Sequence, residues 1–247
     1  MKRVHIICGL LFCFAAGLGA YLALHREKPS PVEEPQARLE QTAREAAYVK
    51  ERDERYRTLL ERGTKELYED HDAEAAQRTF NEAIDISLDD VQRYQAWSWL
   101  AEVVRDTDAG LLRRAGQQMH AIGRTERERA EGLMITAEAQ EKLGGAREAV
   151  KAYEAAAVEY QKAGDSAAGC IAFQHAADAA LLPGLQDLKL CRRMLEAEEK
   201  LLTKVNEGAE RERIVYDFIL SQADLLRREG KKEESRIKFS ELEGFFN

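Results

Sequence analysis

The most regular feature of the chain is a triplet of one small, one aromatic and one further small or apolar residue at helical spacing. In DAEAAQRTFNEAIDIS the triplet is Ala76, Phe80 and Ala83, whose intervals of four and three put all three side chains on one face of an α-helix. The small residues let a partner helix come close, and the ring fills the space beside them. Further copies are Ala149, Tyr153 and Ala156, offset by 73 residues, and Ser235, Phe239 and Leu242.

A second helix precedes each triplet. A small residue stands 12 positions before each copy, at Thr64, Ala137 and Ala223. Gly144 follows Ala137 by seven residues, and Gly230 follows Ala223 by the same interval. Glycine readily adopts positive φ and therefore ends helices. We expect helix–turn–helix units with turns at these two glycines.

The stretch YQAWSWLAEVVRD, between the first two triplets, supplies another first helix. Trp97, Leu100 and Ala101 form a W-x-x-L-small pattern, and Ala101 lies 37 residues after Thr64 and 36 before Ala137. This pattern resembles the first-helix signature of the tetratricopeptide repeat. The second helix of this unit is degenerate, with seam positions Leu112, Gly116 and Met119.

The resemblance to the tetratricopeptide family covers about residues 55–247. It is most specific at 130–160 and weakest in the fourth unit, where a predicted helix at 165–181 ends before Pro183. The resemblance implies an all-α fold, a right-handed α-solenoid of helix–turn–helix repeats with a concave face that binds peptides. A plain antiparallel helical array is the alternative that explains the same spacing.

The predicted repeat domain spans residues 37–247 and contains about five helix pairs, the last at about 208–229 and 231–246. Its leading helix, residues 37–62, is highly charged, and every residue from Lys50 to Arg55 carries a charge. A stable coiled coil needs several apolar heptads, which this helix lacks. We therefore predict a solvated helix that caps the array or merges with the first repeat.

Residues 6–24 form an uncharged, mostly apolar stretch of 19 positions. Nineteen helical residues reach about 28 Å, close to the hydrocarbon thickness of a bilayer. We predict a transmembrane signal-anchor helix at residues 1–26, with the N-terminus cytoplasmic and the repeat domain extracytoplasmic, which is periplasmic in a bacterium. A cleaved signal peptide with a secreted repeat domain is the alternative. Residues 27–36 contain three of the four prolines and are predicted to form an extended linker.

Charge and composition exclude one class of partner. The net charge is −8, and the first 28 residues contribute +3, which leaves −11 for the remainder. An acidic body repels phosphate backbones, so we expect no nucleic-acid partner. The absence of proline from 36 to 182 further favours helices.

The sequence offers no catalytic pattern. It contains no H-E-x-x-H, no G-x-S-x-G and no glycine-rich phosphate loop. His175 lies among alanines, where packing or groove lining is expected, and the run at 196–199, EAEE, is interpreted as a solvated helix face. Helix spacing around the turn near Pro183 argues against a disulfide between Cys170 and Cys191. We predict no catalytic residues, no metal ligands and no cofactor.

In the tetratricopeptide family the first helix of each pair lines the groove, and the resemblance places three sets of residues there. Tyr68 and Met134 are the expected apolar anchors among them. The alternative is that these positions are exposed polar surface without a partner. The implied groove residues are Thr58, Glu61, Lys65 and Tyr68 in the first unit, Gln95, Ser98, Glu102 and Arg105 in the second, and Glu131, Met134, Glu138 and Glu141 in the third.

The anchor, the repeats and the missing active site favour a membrane-anchored, non-catalytic scaffold that binds a protein or peptide partner through its groove. A self-assembling structural subunit of a membrane-associated complex is the alternative. Phe245 and Phe246 beside Leu242 would leave an apolar end, and the leading helices would also be able to pair. This alternative predicts a homo-oligomer.

Overall fold

The computed structural model of the 247-residue chain describes residues 33–243, and side chains for residues 38–242. All regular structure in the described range is helical, which confirms the all-α prediction. The predicted anchor at 1–26 and residues 27–32 of the predicted linker lie outside it. No helix between residues 33 and 243 is long and apolar enough to cross a bilayer. The helices of this range are α1 (Glu33–Tyr68), α2 (Ala73–Ile86), α3 (Asp90–Val104), α4 (Ala109–Ile122), α5 (Glu126–Lys142), α6 (Ala146–Lys162), α7 (Ser166–Ala180), α8 (Leu188–Leu202), α9 (Ala209–Arg228) and α10 (Lys232–Glu243).

Helix α1 begins earlier than the predicted leading helix, and at its other end it follows one of the two predicted alternatives. It begins at Glu33, so residues 33–36, predicted as extended linker, form its first turn. Pro35 is compatible with a first turn because the N–H groups there have no partner inside the helix. The helix continues to Tyr68, so the leading helix merges with the first helix of the first repeat.

The chain divides into two compact units, one up to Glu51 and one from Arg52 onward. The described part of the first unit is the start of α1, where Leu39 is 71% exposed. The repeats lie in the second unit.

Five helix pairs make up the described part of the second unit. Consecutive helices pack against each other from α2 to α10, and α9 also contacts α7. The guanidinium of Arg52 on α1 donates to the carbonyl oxygen of Ile86 at the end of α2 at 2.7 Å, and Arg55 forms an ion pair with Glu82. Packing between sequence neighbours is typical of helical repeats, because each pair buries its apolar face only against the next.

The predicted seam positions form the core of the second unit. The ring of Phe80 packs over Gly63, where a Cβ atom would lie 2.7 Å from it. The close approach of α1 and α2 therefore falls one residue before Thr64, the small residue that the sequence indicated. The seam residues with at most 6% exposure are Ala76, Phe80, Ala83, Trp97, Leu100, Ala101, Leu112, Met119, Ala137, Ala149, Tyr153, Ala156, Ala223, Ser235 and Leu242.

The last pair departs from the predicted seam at its aromatic position. Phe239 is 42% exposed, so it does not fill the seam as Phe80 and Tyr153 do. Instead, Ser235 is buried and donates its hydroxyl to the carbonyl oxygen of Ala223 at 2.8 Å. Within the described residues no helix follows α10, so the side of α10 that carries Phe239 has no neighbour to bury it.

The predicted turn glycines have the predicted backbone. Gly144 has φ +77° and Gly230 has φ +80°, and Gly164 between α6 and α7 has the same conformation at +77°.

Aspartate residues begin several of the helices by accepting a hydrogen bond from the backbone N–H three residues later, which satisfies one of the unpaired donors of the first turn. These N-caps are Asp72, Asp89, Asp108, Asp165 and Asp187.

Helices α4 and α5 cross at a pair of glycines. A Cβ atom on Gly132 would lie 2.3 Å from the backbone nitrogen of His120 and 2.7 Å from the carbonyl oxygen of Gly116. A Cβ atom on Gly116 would likewise lie 2.7 Å from the carbonyl oxygen of Gly132. The two backbones therefore approach closely only because both positions lack a side chain.

Candidate partner-binding face

Contacts link the first helices of successive pairs on one side of the second unit. The hydroxyl of Tyr56 on α1 donates to the carbonyl oxygen of Gln92 on α3. Arg127 on α5 forms an ion pair with Asp165 at the start of α7, and α7 packs against α9. We call this side the first-helix face and define it by the predicted groove positions of α1, α3 and α5 and by the equivalent positions of α7 and α9. The predicted residues that are exposed are Thr58, Glu61, Lys65, Tyr68, Gln95, Ser98 and Glu102. Those that are half-buried are Arg105, Glu131, Met134, Glu138 and Glu141.

Polar side chains join α3 to α5 across this face. The hydroxyl of Tyr94 donates to the Glu131 carboxylate at 2.8 Å. Arg105 forms an ion pair with Glu138, and the Lys142 ammonium lies 3.3 Å from the same carboxylate. Glu102 also lies 3.3 Å from the guanidinium of Arg105. Three of the predicted groove carboxylates are therefore already bonded to side chains of this chain and are less available to a partner.

The third and fourth units meet around Tyr153. Its ring stacks on the imidazole of His175, with centroids 5.3 Å apart and planes 22° apart. Burial and the nearby charge of Glu141 raise the pKa of Tyr153. The side chain of His175 is exposed on the first-helix face. Burial lowers the pKa of His175, while the charge of Glu138 opposes that shift.

The same helical register continues into the fourth and fifth units, for which no groove residues were predicted. His175 and Asp178 lie 37 residues after Glu138 and Glu141, and Asp217 and Asp224 lie as far from Ala223 as Glu131 and Glu138 lie from Ala137. The signal was present, because Ala223 was already recognised as a seam residue. Sequence counting alone would have found the aspartates of α9.

Carboxylates crowd the end of the face formed by α7 and α9. Burial and the nearby charges of Asp224 and Asp217 raise the pKa of Asp178 from 3.8 to about 6, and Arg228 only partly offsets them. Burial, Asp178 and Glu138 raise the pKa of Glu141. Burial opposes ionisation of Asp224 as well, but hydrogen bonds from Arg228 and Arg227 outweigh it and lower the pKa of that group.

Glu198 on α8 overturns the interpretation of its acidic run as a solvated face. Its side chain is fully buried at 0% exposure, and neither carboxylate oxygen has a hydrogen-bond partner. Burial, Asp178 and Asp217 together raise its pKa from 4.5 to about 8. A buried carboxyl without a partner is uncommon in folded proteins.

Aromatic side chains lie at the opposite end of the second unit. The ring of Trp99 stacks on Phe80 with centroids 5.9 Å apart, and the edge of Tyr68 meets it at 6.2 Å. Tyr68 is 56% exposed, which keeps it available as the predicted apolar anchor. Met134, the second predicted anchor, is half-buried against the core.

The cysteines of the second unit are free and buried. Burial raises the pKa of both Cys170 and Cys191 to about 12, so neither is a ready thiolate nucleophile. Between residues 38 and 242 no group of three or more histidine, cysteine, aspartate or glutamate side chains is arranged to hold a metal ion.

Comparison with known proteins identifies the fold. No family model and no curated protein matches the chain. Matching solved structures include the nearly identical TPR-like repeats of a kinesin light chain from Podosopora anserina, with 15% identity, a TM-score of 0.59, and coverage of 77% of this chain and 94% of that one. A single-substitution variant of the same protein matches at 16% identity and a TM-score of 0.59, covering 77% and 93%. The second unit is therefore built from TPR-like helical repeats.

Proposed function

We propose that this protein is a non-catalytic scaffold that binds a segment of a partner protein across its first-helix face. The observation that carries the proposal is the register of that face. Polar and partly apolar side chains recur at the same positions of successive first helices, while the other faces of these helices are used in packing. Extended faces of this kind are the binding surfaces of helical-repeat proteins.

We further propose that residues 6–24 anchor the scaffold in a membrane, with the repeats on the extracytoplasmic side. The support is the uncharged length of this stretch and the positive residues Lys2 and Arg3 before it. Removal of this segment by a signal peptidase, giving a secreted protein, is the alternative.

Introducing a positive charge on the first-helix face should abolish partner recovery. Tyr68→Lys and Met134→Lys each place a charge among the side chains that would contact the partner, and burying an unpaired charge strongly disfavours association. The measurement is affinity purification of the tagged full-length chain from solubilised membranes, followed by mass spectrometry.

The matched control is Val158→Lys, because Val158 is 43% exposed and lies on α6, a second helix. Circular dichroism must show that all three variants remain helical. Equal recovery of the same partner by the wild type and both face variants would place the binding surface elsewhere.

Self-assembly is a second candidate, because α10 leaves Ile237 62% exposed and Phe239 42% exposed. Phe245 and Phe246, on which the sequence argument rested, lie outside the described residues. Self-assembly requires that the chain associate at high concentration and that Phe239→Glu dissociate it. Sedimentation of residues 36–247 as a monomer would remove this candidate.

A further inference from the structure

Several carboxyl groups at the α7–α9 end of the first-helix face are not paired with a cation of this chain. Within residues 38–242, the side chains of Asp178 and Asp217 make no hydrogen bond or ion pair, and both act electrostatically on the buried Glu198. We propose that this acidic end binds a basic segment of the partner, an extended peptide whose lysine or arginine side chains pair with Asp178 and Asp217. The inference rests on the proposed function and adds the chemistry of the partner.

The neighbouring carboxylates show what is missing at this end. Glu138 is paired with Arg105 and Lys142, and Asp224 is paired with both Arg227 and Arg228. These pairs neutralise their own carboxylates, so Arg228 only partly offsets the negative charge at Asp178, and among the described residues Asp217 has no ion pair. A cation supplied from outside the chain would complete the same pattern.

Glu198 gives an independent reason to expect a ligand. It is fully buried, and neither of its oxygens has a hydrogen-bond partner. The charges that act on it come from Asp178 on α7 and Asp217 on α9, so its carboxyl group lies within electrostatic range of both. Folded chains rarely retain an unpartnered buried carboxyl group, because desolvation disfavours it. A cation seated on Asp178 and Asp217 would stabilise all three carboxylates at once.

An apolar row beside the carboxylates favours a peptide over a small free cation. Met134, Ile171 and Leu220 occupy equivalent positions in α5, α7 and α9, and all are half-buried. The path from α5 to α9 crosses two interhelix spacings, each about 8–10 Å for packed helices. An extended chain advances about 3.3 Å per residue, so about six residues cover this path. A segment in which apolar and basic residues alternate matches this surface.

Peptide binding measured by fluorescence anisotropy tests the proposal. The probes are two labelled peptides of equal length, one of alternating lysine and alanine and one of alternating glutamate and alanine. The full-length chain is kept in non-ionic detergent at physiological salt. We expect saturable binding of the lysine peptide, weakening with added salt, and no binding of the glutamate peptide.

The double variant Asp178→Asn, Asp217→Asn should weaken binding of the lysine peptide at least about tenfold. The substitutions keep side-chain shape and remove like charges, so the variant should fold at least as well as the wild type. Glu74→Gln with Asp85→Asn removes two exposed charges from α2 instead and is the matched control. Unchanged affinity in the first variant, or an equal loss in the control, would overturn the proposal.

The pH dependence of binding provides a second readout. Asp178 and Glu198 have pKa values of about 6 and about 8, and a bound cation favours their ionised forms. Affinity for the lysine peptide should therefore rise several-fold between pH 6 and pH 8, and Glu198→Met should remove the upper part of that rise. The titratable groups that interact electrostatically with Glu198 are Asp178, Cys170 and Asp217. The groups that interact in the same way with Asp178 are Glu141, Cys191, Asp217, Asp224 and Arg228. A flat profile would count against the role of these carboxyl groups.

The partner itself separates failure of this inference from failure of the proposed function. If the protein recovered through the first-helix face contributes a neutral or acidic segment, scaffold binding stands and the basic ligand is wrong. If no face variant affects recovery, the proposed function also fails.

Discussion

Glu198→Met is expected to raise the free energy of unfolding at pH 9 by about 2–3 kcal/mol. The carboxyl is fully buried without a hydrogen-bond partner, so at pH 9 its ionised form carries a desolvation penalty on the order of several kcal/mol, most of which an apolar side chain of similar size avoids. Methionine is unbranched and adapts to the same space between Met194 and Leu202 on the apolar side of α8. The measurement is urea unfolding followed by circular dichroism.

The advantage of the variant should depend on pH. Burial raises the pKa of Glu198 from 4.5 to about 8, so between these values the unfolded chain is ionised while the folded chain holds the proton. The wild type therefore loses stability as pH rises through this window, and the loss is complete above pH 8. The difference between variant and wild type should be small at pH 5, grow up to pH 8 and then stay constant.

Glu199→Met is the matched control, because Glu199 is the exposed neighbour of Glu198 on the same helix. A surface substitution of this kind should change stability by less than about 0.5 kcal/mol. A difference between the Glu198 variant and the wild type that is the same at pH 5 and pH 9 would show that Glu198 keeps one protonation state throughout.

Gly132→Ala should destabilise the second unit by about 2 kcal/mol. The new methyl group would lie 2.3 Å from the backbone nitrogen of His120, and backbone atoms cannot rotate away as a flexible side chain can. Forcing extra volume into packed structure costs about 1–3 kcal/mol, and the clash must also overcome the intrinsic helix preference for alanine of about 1 kcal/mol. Thermal or urea unfolding measures the change.

Gly184→Ala provides the comparison for this substitution. A Cβ atom on Gly184 would meet only the carbonyl oxygen of Gly144, at an ordinary 3.8 Å. Its stability should stay within about 0.5 kcal/mol of the wild type. If the Gly132 variant were as stable as the wild type, α4 and α5 could move apart without a loss of stability, which would contradict a crossing that requires glycine at this position.

The seam could be predicted because its physics is local in the sequence. A small–aromatic–small triplet at intervals of four and three describes one face of a helix and the space beside it. Ala76, Phe80 and Ala83 are accordingly buried. Phe239 follows the same spacing but is exposed, because its burial depends on a following helix, and the triplet carries no information about that neighbour.

Glu198 could have been recognised as buried from its helix alone. Cys191, Met194, Leu195 and Leu202 recur at intervals of three, four and seven, and Glu198 falls within that pattern, four residues after Met194 and four before Leu202. Its neighbours Glu196 and Glu199 make the segment an acidic run, and a run of this kind is typical of a solvated helix face. Its proximity to Asp178 and Asp217 could not be predicted, because it depends on how α7, α8 and α9 pack.

The close crossing of α4 and α5 was only partly visible in the sequence. Gly116 was recognised at a seam position, whereas Gly132 stands outside every repeat pattern. A helical glycine lowers helix propensity, so its presence in α5 was a signal of a packing requirement. The partner backbone at His120 becomes apparent only in three dimensions.

Site-specific photo-crosslinking tests the central claim, that the first-helix face binds a partner protein, most directly. A photoreactive residue replaces Ser98 or His175 on the face, and Val158 on α6 serves as the control position. We predict adducts with the same partner from both face positions and none from Val158. Adducts from Val158 alone, or adducts only between two copies of this chain, would contradict partner binding at the first-helix face.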